Sequence, residues 1–257
     1  MIDDLNNHFR TRSAALLLFL ESRLDRILQG WLLVAGFASA GRIATAPVPH
    51  STSGIFPIAS PYVLLVLAPV ASTLLALHWF RDGPSQPQPT SRIARLGRWR
   101  ALTATEAARH PLYGATGIMV SLLVGIMLNV PVRALEYFAA MPAVPAAAPP
   151  WLAVLHLAMS FDVVVFTSLY MIAFVAAVRR VPLFPRLLVA IWVGDIAMQV
   201  FTARMVASTH VPAGVAAPLG ALLTGNLKKV LISMALWLPY LLLSKRVNVT
   251  FRHRVPA

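Results

Sequence analysis

The chain has 257 residues, of which 58% are hydrophobic and only 12% charged. A soluble domain carries about 25% charged residues, so so oily a surface must face lipid, and an integral membrane protein is expected. The net charge is +13 and cysteine is absent, which excludes disulfides, thiolate metal sites, iron–sulfur clusters and cysteine nucleophiles.

The chain starts MIDDLNNHFRTRS, acidic before it is basic, and the apolar stretch Ala14–Leu20 is cut by Glu21. No removable signal peptide is expected from that pattern. Leu17, Leu20, Leu24, Leu28 and Trp31 then recur at helical spacing, with Arg23, Asp25 and Arg26 on the other side. This predicts an amphipathic N-terminal helix, either lying on the membrane surface or extending the first span.

About 20 apolar residues cross the roughly 30 Å of hydrocarbon. Six stretches meet that requirement: 27–46, 55–80, 110–132, 150–178, 187–208 and 226–243. The expected fold is therefore all-α, a polytopic bundle of about six spans. Residues 81–109 form a basic linker, with Gly83, Pro84, Pro87 and Pro89 as a flexible joint and SRIARLGRWRAL as a short surface helix. The linker divides the chain into a front unit, 1–80, with two spans, and a back unit, 110–257, with four spans and a basic tail. The segment AAMPAVPAAAPP, 139–150, is a connector too rich in proline for a helix.

The positive charge is unevenly placed. The N-terminal segment holds Arg10, Arg12, Arg23 and Arg26, and the linker holds Arg81, Arg92, Arg95, Arg98, Arg100 and Arg109. The loop RRVPLFPR adds three arginines and the tail adds Lys245, Arg246, Arg252 and Arg254. With six spans these 17 of the 22 Lys and Arg residues fall on one side, which the positive-inside rule makes the cytoplasmic one. Both termini are then cytoplasmic and the basic flanks face anionic lipid. Charges scattered over four flanks do not form a nucleic-acid interface, and none is expected.

Three stretches carry a family resemblance: GIMLNVPVRALEYF at Gly125–Phe138, AAVRRVPLFPRLLVAIW at Ala176–Trp192 and ALWLPYLLLSKRVNVTF at Ala235–Phe251. Through them the back half, about 109–254, resembles the DUF2569 family of uncharacterised bacterial inner-membrane proteins. The resemblance implies a four-helix unit to which the front spans are an addition, and it implies no activity.

Ionisable groups inside spans are costly and mark candidate sites. Counted from their flanking loops, Asp162 and Arg204 lie at the same depth, about 25 Å in, and an ion pair between them is expected. Asp195, about 13 Å in, is too low to join it and is a candidate proton carrier or a polar cap. His156, Arg133 and Asn129 fall near outer helix ends and could line an outward pocket. Gly117, Ser121 and Gly125 recur every four residues as a small-residue stripe for close helix packing, within the chain or between chains.

His156 and Asp162 point to different faces, so no metal site is expected, and no cofactor is expected. Arg109-His110-Pro111-Leu112-Tyr113 resembles the RHPxY of membrane isoprenylcysteine-type methyltransferases without that family's acidic partner motif. Asn248-Val249-Thr250 fits the glycosylation pattern in a tail expected to be cytoplasmic. No nucleophile–base pair or phosphate loop is present. The sequence points first to a non-enzymatic membrane component that binds membrane-protein partners or a second copy. The rival is a small solute or proton carrier using Asp162, Asp195, His156 and Arg204, and an intramembrane enzyme ranks third.

Overall fold

The computed structural model describes residues 2–46, 55–90, 98–143 and 148–257. Among the described residues nine α-helices follow in chain order: α1 (Ile2–Ser22), α2 (Leu24–Ala44), α3 (Ile55–Trp79), α4 (Ala104–Arg109), α5 (Ile118–Ala140), α6 (Pro150–Val178), α7 (Phe184–Ala207), α8 (Ala213–Leu243) and α9 (Lys245–Arg252). Among the described residues six of them, α2, α3 and α5 to α8, are long and apolar enough to cross a membrane, with mean hydropathies between 1.3 and 2.2. The protein is an all-α, multi-pass membrane bundle.

Span α6 has the bounds its hydropathy predicts. Span α5 does not: it begins eight residues later than expected and runs past Pro131 and Arg133 to Ala140. Gly117 stops it at the start, with φ 73 and ψ −142, a conformation open to glycine because it lacks a Cβ. The preceding segment is claimed by the C-terminus, since the Gly114 N–H donates to Thr250 Oγ1 at 3.0 Å. Arg246 Nη1 donates to Thr116 Oγ1 at 2.8 Å. Span α8 starts at Ala213 rather than 226, so Lys228 and Lys229 lie near its middle and not at its start.

The apolar stripe before the first span packs on protein. Leu17, Leu20 and Leu28 are buried in the core that also holds Leu123, Phe174 and Trp192. The Gly117 N–H donates to Ser13 Oγ at 3.0 Å, pinning α1 to the start of α5. A break at Arg23 separates α1 from α2. Because α3 packs most extensively on α6, one core holds residues from both sides of the linker.

The linker and tail depart from expectation. Trp99–Ala101, inside the predicted basic helix, is a strand, β1, paired antiparallel with β2 (Arg254–Pro256); residues 91–97 of that predicted helix lie outside the described ones. The tail is packed rather than wet, because α9 buries Val247, Asn248, Val249, Thr250 and Phe251. Asn248 Oδ1 there accepts from Arg252 Nη1 at 3.0 Å and from Arg254 Nε at 2.7 Å. The glycosylation-like asparagine is thus a buried structural acceptor.

Nor is the start of the linker a free joint. Gly83 is buried, and a Cβ there would lie 2.3 Å from the Arg179 carbonyl oxygen at the end of α6. Only glycine lets the turn after α3 sit that close. Gly83→Ala should cost about 1–3 kcal/mol through forced backbone displacement and lower the melting temperature in detergent. Gly125→Ala, where a Cβ meets nothing within 4 Å, should not lower it.

Candidate functional site: a polar layer inside the bundle

Among the described residues the buried apolar side chains form two clusters. One, at the end of the bundle where the tail packs, includes Val130 of α5, Phe166 of α6 and Trp192 of α7. The other, toward the opposite end, includes Ala134, Val163 and Val206 of the same helices. At the boundary sit Arg133, Asp162, Asp195 and Gln199. At 1.5 Å per residue Arg133 lies about 22 Å from the start of α5, and Asp195 about 17 Å from the start of α7, so the layer is deep within the spans.

Arg133 reaches both carboxylates with opposite arms of its guanidinium fork. Nη1 donates to Asp162 Oδ2 at 2.6 Å and Nη2 to Asp195 Oδ2 at 2.5 Å. The Tyr170 hydroxyl donates to Asp195 Oδ2 at 3.1 Å, and Gln199 Nε2 donates to Asp162 Oδ1 at 3.0 Å. Asp162 and Asp195 are 3% and 0% exposed. The guanidinium also lies over the Phe166 ring, 5.3 Å from its centroid, where the face of the ring attracts a cation. Two carboxylates against one guanidinium leave one negative charge over, which a single proton would balance.

A cavity of about 60 Å³ opens beside the layer, bounded by Asn129, Arg133, Glu136, Asp162, Asn226 and Lys229. That is room for at least one water. Among the described residues, Asn129 Oδ1 and Gln199 Oε1 are buried without a hydrogen-bond partner, as groups that bond to water or to a passing ligand would be. The Glu136–Lys229 ion pair spans from α5 to α8 on the side away from the tail. Toward the tail, buried Phe174, Leu188 and Trp192 fill the bundle.

The sequence-derived residues separate into three groups. Asp162, Asp195 and Arg133 converge, with Asn129 at the adjoining cavity. His156 is set apart from them: its Nε2 lies 3.2 Å from the Tyr137 hydroxyl, which also bonds Ser160 Oγ at 2.7 Å. Arg204 is exposed and is not the partner of Asp162. Equal depth put them level, but nine residues separate Arg204 from Asp195, about half a turn of net rotation, so Arg204 leaves from the other face. Asp195, expected to lie too low, shares the arginine because α5 extends deeper in sequence than its hydropathy implies.

Gly117 caps α5, with its ideal Cβ position 3.7 Å from Arg246 Nε. Ser121 and Gly125 are exposed, so the stripe is not a packing face within the chain. Tyr170 and Gln199 were missed. Their signal was spacing: Gln199 is one helical turn from Asp195, and Tyr170 two turns from Asp162, each on the same face.

Removing one partner from a buried ion cluster costs about 3–5 kcal/mol, because the remaining charges are left bare. Arg133→Met should therefore lose yield and melt early. Adding Asp162→Asn and Asp195→Asn should recover most of that loss, whereas Arg204→Gln should shift stability by under about 0.5 kcal/mol. Melting curves of the three variants and the wild type in one detergent test this ordering. Comparison with family models, with curated proteins and with solved structures gives no match for this chain.

Proposed function

We propose that the protein is a small membrane carrier whose ion-binding site is the Asp162–Arg133–Asp195 cluster, with the proton as its exchanging ion. The observation that carries this reading is the mismatch of two buried carboxylates with one guanidinium, beside a cavity lined by further polar groups. A bundle needing only a brace would be served as well or better by an apolar core. Ionisable groups at this depth are characteristic of ion pathways and proton relays. A proton arriving from the cavity would neutralise one carboxylate and loosen its hold on Arg133. That provides a change of charge pairing inside the bundle, which a carrier needs. Carrying over the unequal basic flanks, the protein belongs in a bacterial inner membrane with both termini in the cytoplasm, and the cavity faces outward.

His156, on the Tyr137 hydroxyl, and the exposed Arg204 lie outside this cluster. Reconstituted into proteoliposomes with a trapped pH-sensitive dye, the protein should pass protons under an imposed membrane potential. Asp195→Asn, which keeps the side-chain shape, should slow that flux at least tenfold. Absence of flux above empty liposomes, or full flux in the variant, would count against the carrier.

A second reading, a component that assembles with membrane proteins or with itself, is favoured by one observation. On α5, Ile118, Ser121, Gly125, Leu128, Val132 and Leu135 are all exposed, at alternating steps of three and four, with the small residues in one half. If a helix docks there, Gly125→Leu should preserve the melting temperature and abolish co-purification of a partner or dimer.

A further inference from the structure

A second cavity, about 380 Å³, lies at the tail end of the bundle, between the α1–α2 break, the end of α3 and the end of α6. Its inner wall is apolar, made by Leu24, Leu77, Phe174 and Val178. Its rim carries Arg81, Arg179 and Arg180 against a single carboxylate, Glu21. Among the described residues no ion pair joins Glu21 to these arginines, and the lining has two positive charges in excess. The volume is that of a ligand site, which is commonly about 300–1,000 Å³.

Two backbone features hold the rim in place. The Val181 N–H donates to the Ala176 carbonyl at 2.8 Å and the Arg180 N–H to the Ala177 carbonyl at 3.1 Å, the paired bonds of a Schellman helix ending. That ending places Arg180 in the left-handed region, φ 56, where glycine is favoured because a Cβ brings strain. The chain instead keeps an arginine, whose Nε is buried with no hydrogen-bond partner among the described residues and whose guanidinium lies 5.5 Å over the Tyr113 ring. Strain retained at a non-glycine residue is characteristic of binding and catalytic sites. Across the cavity, the close approach of Gly83 to the Arg179 carbonyl brings the turn that follows Arg81 against the end of α6.

We infer that this cavity binds one anionic phospholipid, its phosphodiester held by Arg81, Arg179 and Arg180 and an acyl chain lying on the apolar wall. Arginine forks match phosphate oxygens, and basic pockets at the ends of spans suit anionic headgroups. A lipid fits better than a free phosphate because Leu77 and Val178 belong to the last turns of two spans, so the wall continues into the bilayer. The inference does not depend on the carrier reading.

The test uses the full chain, purified in mild detergent, stripped of lipid, and examined by native mass spectrometry and thermal shift. Wild type should retain one added phosphatidylglycerol per chain and melt higher with it, and should bind phosphatidylcholine at least tenfold more weakly. Millimolar inorganic phosphate or glycerol phosphate should not displace the lipid. Arg180→Gly should leave the lipid-free melting temperature unchanged or higher, because it relieves the backbone, yet weaken phosphatidylglycerol binding at least tenfold. The double variant Arg81→Gln with Arg179→Gln should weaken it likewise, and Arg100→Gln, away from the cavity, should not. Equal retention of phosphatidylcholine, displacement by inorganic phosphate, or an equal loss in Arg100→Gln would overturn the proposal.

Discussion

A guanidinium held between two carboxylates inside an apolar bundle sets the placement of the helices around it. Desolvating three charges costs several kcal/mol each, and only close, well-aligned pairing offsets that. Arg133 on α5, Asp162 on α6 and Asp195 on α7 must therefore meet at one level, and the 2.5 and 2.6 Å contacts show that they do. The apolar core is consequently interrupted: one cluster closes below the layer and another above it. Greasy residues alone would let neighbouring helices slide by a turn with little penalty. The shared arginine removes that freedom, because slipping any one of three helices would strip a charge of its partner.

The tail end is organised by different means. There Arg246 bonds the Leu112 and Gly114 carbonyls and the Thr116 hydroxyl, and Arg252 bonds the Leu242 carbonyl. Asn248 Oδ1 takes two arginine donors at once, and Arg254 also stacks over Trp99, 4.7 Å from the ring centroid. Burial, with Arg254 and Arg186 nearby, draws Arg252 down to about 10. Crowded cations are tolerable where a headgroup layer or water supplies the counter-charge. The same crowding in the middle of the bundle would not be, which is why the arginine buried there has two aspartates.

Hydropathy made the spans legible because lipid imposes one requirement on every helix that crosses it. The long uncharged run of α6 could hardly be misread. It failed where backbone conformation or a charge overrode composition. Residues 110–117 are uncharged yet not helical, since Gly114 and Gly117 have φ of 104 and 73 and the segment bonds to α9. Arg133 read as the end of a span because a charge ordinarily marks one, and that single misplacement hid the cluster. Depth arithmetic then paired Asp162 with Arg204, since counting residues gives height and not rotation. The face was recoverable: Asn129 with Arg133, and Asp195 with Gln199, are each one turn apart. What no spacing could disclose was that α9 folds back to bury the tail, a contact between segments more than a hundred residues apart.

Two arginines occupy positions where folding alone would favour another residue. At the end of α6 the left-handed backbone of Arg180 is one that glycine adopts without strain, and in the bundle the volume of Arg133 could be filled by an apolar side chain with no charges to neutralise. Natural chains depart from such local rules mainly where function requires it, and the stability forgone is the mark it leaves. The two departures lie at different heights, one in the middle of the spans and one at their basic end. Each borders a cavity: the small polar one beside Asp162 and the larger amphiphilic one beside Leu77. Because neither cavity would be closed by its arginine's removal, the side chains are not there to fill space. Their common property is a positive charge beside a void, deep in the bundle in one case and at its basic end in the other.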